Sequence, residues 1–87
     1  MFEKEIEVVN RAGIHTRPAS MIVKLTAKYK SDIFLIRDGF SINAKSIIGV
    51  MTLAAEQGAK LTIRADGDDE KQAADDLATL FANGFGE

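Results

Sequence analysis

Eighty-seven residues, 46% hydrophobic and 28% charged, suffice for one core, so we expect a single domain spanning 1–87 that folds alone. A net charge of −2 supplies no field for nucleic acid or an anionic membrane, the lack of cysteine rules out disulfide and thiolate chemistry, and one histidine cannot build a zinc site. The opening MFEKEIEVVN lacks the apolar core of a signal peptide, and no window approaches the ~18 unbroken apolar residues of a membrane span. A cytoplasmic protein without cofactor, metal or membrane insertion is therefore the expectation.

From Phe2 to Val8 the residues alternate, with Phe2, Ile6 and Val8 on one face and Glu3, Glu5 and Glu7 on the other, which predicts a half-buried strand. Lys4 is the misfit on the apolar face. Ala19, Ile22, Val23 and Thr26 follow helical spacing from Thr16 to about Tyr29, with Thr16 as the expected cap and Pro18 tolerated in the first turn, where amides lack intrahelical partners. DIFLIRDGFSINAK predicts a hairpin, Ile33–Arg37 and Phe40–Ala44, turning on Asp38-Gly39. Ser46 caps a helix expected from Ile47 to Gln57, with Val50, Leu53 and Ala54 inward and Gly58 at its end. Lys60 to Ala65 alternates again, placing Leu61, Ile63 and Ala65 inward. Asp69 and Gln72 then read as a capping box for a last helix that presents Ala74, Leu77, Ala78 and Phe81 and stops near Gly84. The order β-α-β-β-α-β-α suits an α+β fold: a four-stranded antiparallel sheet with three helices on one face and water on the other.

Chemistry concentrates in GIHTRPAS, residues 13–20, which holds the only histidine and the only proline. An isolated histidine near a helix start is ordinarily a surface or capping residue. Its neighbours change the weighting. Gly13 permits a left-handed or close-approach loop, the following helix aims free amides and its positive dipole end at that loop, and Arg17 adds a forked cation. Together they form an anion site with a nucleophilic ring at its mouth. The dipole also disfavours a positive charge on the ring, and a neutral imidazole nitrogen attacks phosphorus readily. No serine or carboxylate partner set, metal cluster or phosphate-cradling loop accompanies His15, which argues for a carrier over a turnover enzyme. The acids Asp66, Asp68, Asp69, Asp75 and Asp76 read as complements to a helix dipole.

GIHTRPAS and NAKSIIGVMTLAAEQGA together resemble HPr, the histidine-containing phosphocarrier family of the bacterial phosphoenolpyruvate-dependent phosphotransferase system, along essentially the whole chain. The resemblance implies an open-faced β-sandwich. It implies that His15 takes a phosphoryl group on Nδ1 from phosphorylated enzyme I and passes it to enzyme IIA domains. Arg17 would neutralise the phosphoryl oxygens, Thr16 and helix amides would donate hydrogen bonds, and Pro18 would shape the helix start. Physically Ser46 is an N-cap, yet KSIIGVM looks like the segment modified by an HPr kinase/phosphorylase in members under carbon-catabolite control, where a transcription factor reads the phosphoserine. Ile47, Ile48 and Met51 exceed what one short helix can bury and suggest an exposed docking patch. The family uses such positions against enzyme I and other partners, with Ser20 and Lys24 beside them, and a monomer is the expectation the resemblance carries.

Two alternatives stay open. A nitrogen-type regulatory paralogue would use the same histidine; LATLFANGFGE has something of that branch, whereas KSIIGVMTL looks sugar-type. A non-covalent anion-binding interaction module would use His15 and Arg17 without forming phosphohistidine.

Overall fold

The computed structural model describes residues 1–87. Its elements follow the expected order: β1 (Phe2–Glu7), α1 (Thr16–Thr26), β2 (Asp32–Arg37), β3 (Phe40–Asn43), α2 (Ile47–Thr52), β4 (Lys60–Asp66) and α3 (Glu70–Ala82), followed by a short 3-10 turn, Gly84–Gly86. The strands form one sheet in the order β1-β4-β2-β3, antiparallel at every pairing. Three helices cover one face, as the pattern predicts, giving the open-faced β-sandwich that the resemblance implies. No helix is long and apolar enough to cross a membrane.

Alternation decides which face each strand buries. Ile33, Leu35, Leu61, Ile63 and Ala65 point beneath the helices and join Ala19, Ile22, Val50, Leu77 and Phe81 in a cluster of 21 buried apolar residues. On the open face Glu3 lies opposite Arg64 and Glu7 opposite Lys60, and Arg64 Nε donates to Glu3 at 2.8 Å. Such exposed cross-strand pairs help set register more than they add stability. Lys4 is accommodated because its ammonium reaches Asp75 on α3 at 3.3 Å, outside the core. The hairpin turn is as expected: Asp38 (φ 50) and Gly39 (φ 80) are both left-handed, the conformation that matches the twist of the flanking strands.

Four local expectations need correction. Thr16 does not cap α1. His15 occupies that place with extended backbone (φ −104, ψ −164), and its carbonyl accepts from Ala19 N at 3.0 Å. Thr16 is already helical, where its hydroxyl is poorly aimed at the first-turn amides. Second, α1 ends at Thr26, which turns its hydroxyl to the Ala44 carbonyl at 2.9 Å. Third, α2 stops at Thr52, not Gln57, because its next carbonyls have distant partners. Arg37 Nη1 donates to Leu53 O and Ala54 O at 3.3 and 3.4 Å, and Ile14 N donates to Ala55 O at 2.9 Å. Ala54 is consequently left-handed (φ 48) and exposed, and Ala55 is buried in the place expected for it.

Fourth, Asp69 precedes α3 but caps nothing with its side chain. Its carboxylate instead accepts from Lys30 N and Ser31 N, both at 2.9 Å, and from the Ser31 hydroxyl, clamping the entrance to β2. Gln72 donates to Asp76 at 2.8 Å, while Glu70 takes the Gly67 amide at 3.1 Å. The Ser31 hydroxyl, foremost, and the two amides hold the Asp69 carboxyl at about 2, below the ordinary carboxylate range. A depressed folded-state pKa contributes stability that is complete above the unfolded value and is lost as pH falls through the folded one. We therefore expect wild-type urea midpoints to drop between about pH 4 and about pH 2. Asp69→Asn should be less stable at neutral pH and flatter across that window; parallel curves would show that this carboxylate contributes nothing.

Candidate functional site

The loop entering α1 is built by one glycine and two long-range hydrogen bonds. Gly13 has φ 70, and a β-carbon there would stand 2.5 Å from the Ala55 carbonyl oxygen, so only glycine allows the loop to press against the chain after α2. The neighbouring Ile14 N→Ala55 O bond then locks the approach. From below, Asn10, 5% exposed, donates through Nδ2 to Gly13 O at 2.8 Å. His15 is thereby delivered to the first turn of α1 with its side chain 44% exposed.

Around the ring stand Thr16 and Arg17, both exposed, and Pro18, buried beneath the turn. The Thr16 and Arg17 amides precede the first helical hydrogen bond and remain free to meet an anion. Ser20 is half-buried and Lys24 exposed one turn further along α1, near the last turn. Ser46 caps α2 by accepting from Gly49 N at 3.1 Å, as expected. The next turn leaves Ile47, Ile48 and Met51 39%, 74% and 42% exposed. α2 packs against α1, so the apolar surface and the His15 turn belong to neighbouring helices.

One group was absent from the sequence reading. Glu87 brings its carboxylate into the anion site: Oε2 lies 2.8 Å from His15 Nε2 and 3.2 Å from Arg17 Nη1, and Oε1 accepts from Asn10 Nδ2 at 2.9 Å. The Asn10 amide above all, with His15 and Arg17, holds this carboxyl below the usual range. Arg17 Nη1 also donates to Phe85 O at 3.0 Å. Phe85 (φ 59) is buried edge-on against Phe81, with ring centroids 4.9 Å apart, and so anchors the segment that carries Glu87. The available signal was an aromatic residue between two glycines after the last helix, GFG, which marks a sharp turn returning a large side chain to the core. It says nothing about Glu87 or Asn10, which lie 72 and 5 residues from His15 in the chain.

The site is thus an exposed lone histidine opening a helix, with an arginine and a carboxylate against it. The shallow depressions elsewhere, such as the one between β1 and α3, do not include it. Known proteins share this fold. Residues 2–83 match the family model described as the PTS HPr component phosphorylation site. The phosphocarrier protein HPr of Treponema pallidum (strain Nichols) is 45% identical over 87 residues, covering 100% of this chain and 99% of that one. Among solved structures, HPr-C-His from Thermoanaerobacter tengcongensis has a TM-score of 0.96 at 41% identity, covering 100% of this chain and 98% of that one. The histidine-containing phosphocarrier protein of Mycoplasma has a TM-score of 0.86 at 32% identity, with 97% and 94% covered. The chain belongs to the HPr family of phosphocarrier proteins of the phosphotransferase system.

Proposed function

We propose that His15 is the phosphoryl-accepting residue, taking the group on Nδ1 from phosphorylated enzyme I and releasing it to enzyme IIA domains, with residues 1–87 acting as one carrier domain. The observation that carries this reading is the placement of the chain's only histidine at the first turn of α1, its ring accessible and its Nδ1 without a partner in the fold. The free Thr16 and Arg17 amides and the positive helix end favour the transferred dianion. Arg17 engages only Nη1 within the protein, which leaves Nη2 and Nε for phosphoryl oxygens. Pro18 buttresses the turn. A relay through two partners needs one accessible face and short-lived complexes; the exposed Ile47, Ile48 and Met51 on α2 supply its apolar part, and Ser20 and Lys24 on the neighbouring α1 its polar part.

The test is incubation with enzyme I, magnesium and phosphoenolpyruvate, followed by intact mass and an acid-lability assay. An acid-labile adduct of one phosphoryl group supports the carrier; its absence with both sugar-type and nitrogen-type enzyme I would leave an anion-binding interaction module. Faster acceptance from the nitrogen-type enzyme would assign the regulatory branch.

Ser46 is the proposed regulatory site. A phosphoryl group there adds about −1.5 to −2 charge beside the docking patch, at a helix start that tolerates an anion. Ser46→Asp retains a good cap, so α2 should persist while acceptance from enzyme I slows, roughly tenfold if encounter is electrostatically steered. Unchanged acceptance kinetics, or loss of helical signal in circular dichroism, would count against the assignment.

A further inference from the structure

The Glu87 carboxylate sits on the Nε2 edge of the His15 ring, 2.8 Å away, and its other oxygen is held by a buried amide. An ionised carboxylate accepts hydrogen bonds and does not donate them, so the proton in this contact belongs to Nε2. On a neutral ring Nδ1 then carries the lone pair, and no protein group competes for it. We propose that Glu87 is a positioning residue: it holds His15 in the Nε2–H tautomer and in the orientation that presents Nδ1 to the phosphoryl donor. The proposal rests on the reading of His15 as the acceptor.

The fold fixes this carboxylate from three directions. Phe85, buried against Phe81, anchors the backbone two residues earlier. Arg17 ties the same segment down through Phe85 O and meets Glu87 Oε2 directly. Asn10 donates at once to Gly13 O in the histidine loop and to Glu87 Oε1, which couples the loop carrying the nucleophile to the group that orients it. The orientation of that amide is unambiguous, since turning it over would set its oxygen against two acceptors. Asn10 Oδ1 is meanwhile buried without a partner, a cost the fold bears while keeping Nδ2 toward Glu87.

During transfer the Nδ1 lone pair forms the N–P bond as the bond from phosphorus to the donor breaks, its electron pair leaving with the donor. The Nε2 proton stays in place. The ring then bears delocalised positive charge, with Glu87 against its Nε2–H edge and the phosphoryl group on the Nδ1 side. Carboxylate and phosphoryl thus use different edges of one imidazole, the division of roles by which a carboxylate behind a histidine orients it and stabilises its charged form. The opposite tautomer would block Nδ1 with a proton and place a lone pair against the carboxylate.

The experiment compares wild type, Glu87→Ala and Glu87→Gln as full chains. It reads the 15N shifts of the ring nitrogens above the titration of the ring, and the first-order rate of phosphoryl acceptance at saturating phosphorylated enzyme I. In the wild type we expect a protonated, pyrrole-type Nε2 and a pyridine-type Nδ1. Glu87→Ala should move both shifts toward their tautomer average and slow acceptance roughly fivefold, the effect of one net hydrogen bond. Glu87→Gln, whose amide oxygen can accept the same bond but whose amide nitrogen then faces the Asn10 Nδ2 donor, should restore the shifts and the rate in part. Unchanged shifts or an unchanged rate in a folded Glu87→Ala overturns the proposal while leaving His15 as the carrier. A wild type that accepts no phosphoryl group overturns both readings.

Discussion

His15→Ala is expected to accept no phosphoryl group from any enzyme I while retaining the fold. The ring is the only imidazole in the chain, and no cysteine is available to take over as nucleophile. Removing it should cost little stability. Its side chain is nearly half exposed and leaves no cavity, and its role in starting α1 is played by the backbone carbonyl, with no side-chain cap bond to lose. Beyond the partly exposed hydrogen bond to Glu87, worth about 1 kcal/mol, substitutions of this kind ordinarily stay within about 0.5 kcal/mol. Thermal melting and intact mass after incubation with enzyme I and phosphoenolpyruvate check both halves. An acid-labile adduct on the variant would move the carrier chemistry elsewhere, and a collapsed melting transition would make His15 a structural residue.

Gly13→Ala should have a large effect on both stability and transfer, although the position lies outside the apolar cluster. A left-handed backbone costs an alanine about 1–2 kcal/mol. The added carbon would also meet Ala55 O at 2.5 Å and Glu56 Cα at 3.1 Å, both backbone atoms that no rotamer change can move aside. Relief requires the loop to lift and breaks the Ile14 N→Ala55 O bond, another ~1 kcal/mol. We expect a total of about 2–3 kcal/mol, a large part of the roughly 5–15 kcal/mol of a typical domain. Because the loop carries His15, acceptance should also slow at temperatures where the variant is folded. Gly39→Ala is the control: it has a similar φ of 80 but nothing within 4 Å of the added carbon, so it should show the conformational cost alone. Equal urea midpoints for the two variants would mean that the Gly13 loop yields freely.

Strand alternation, the Asp38-Gly39 turn and the spacing of α1 and α3 were legible because each depends on residues no more than four positions apart. Family membership was legible for a related reason: GIHTRPAS and the segment around Ser46 are contiguous. Two of the failures, at the end of α2 and at Asp69, share one mechanism, competition between a local and a distant partner for the same polar group. Helical spacing favours continuing α2 to Gln57, but Arg37 and Ile14 take the carbonyls that follow it. Asp69 and Gln72 have capping-box spacing, yet the Lys30 and Ser31 amides and the Ser31 hydroxyl offer Asp69 three donors.

The sequence alone thus determined the element order, the open-faced sandwich, the helix start bearing His15 and Arg17, and the Ser46 cap, all encoded in periodicity and in the chemistry of short segments. Only the tertiary structure decided what stands against the ring. Asn10, Arg17, Phe85 and Glu87 meet because the turn after α3 buries Phe85 on Phe81 and returns the chain to the loop before α1. A carboxylate 72 residues from a histidine carries no pattern that marks it as a partner. Its role follows from the packing that brings the two ends of the chain together around one imidazole.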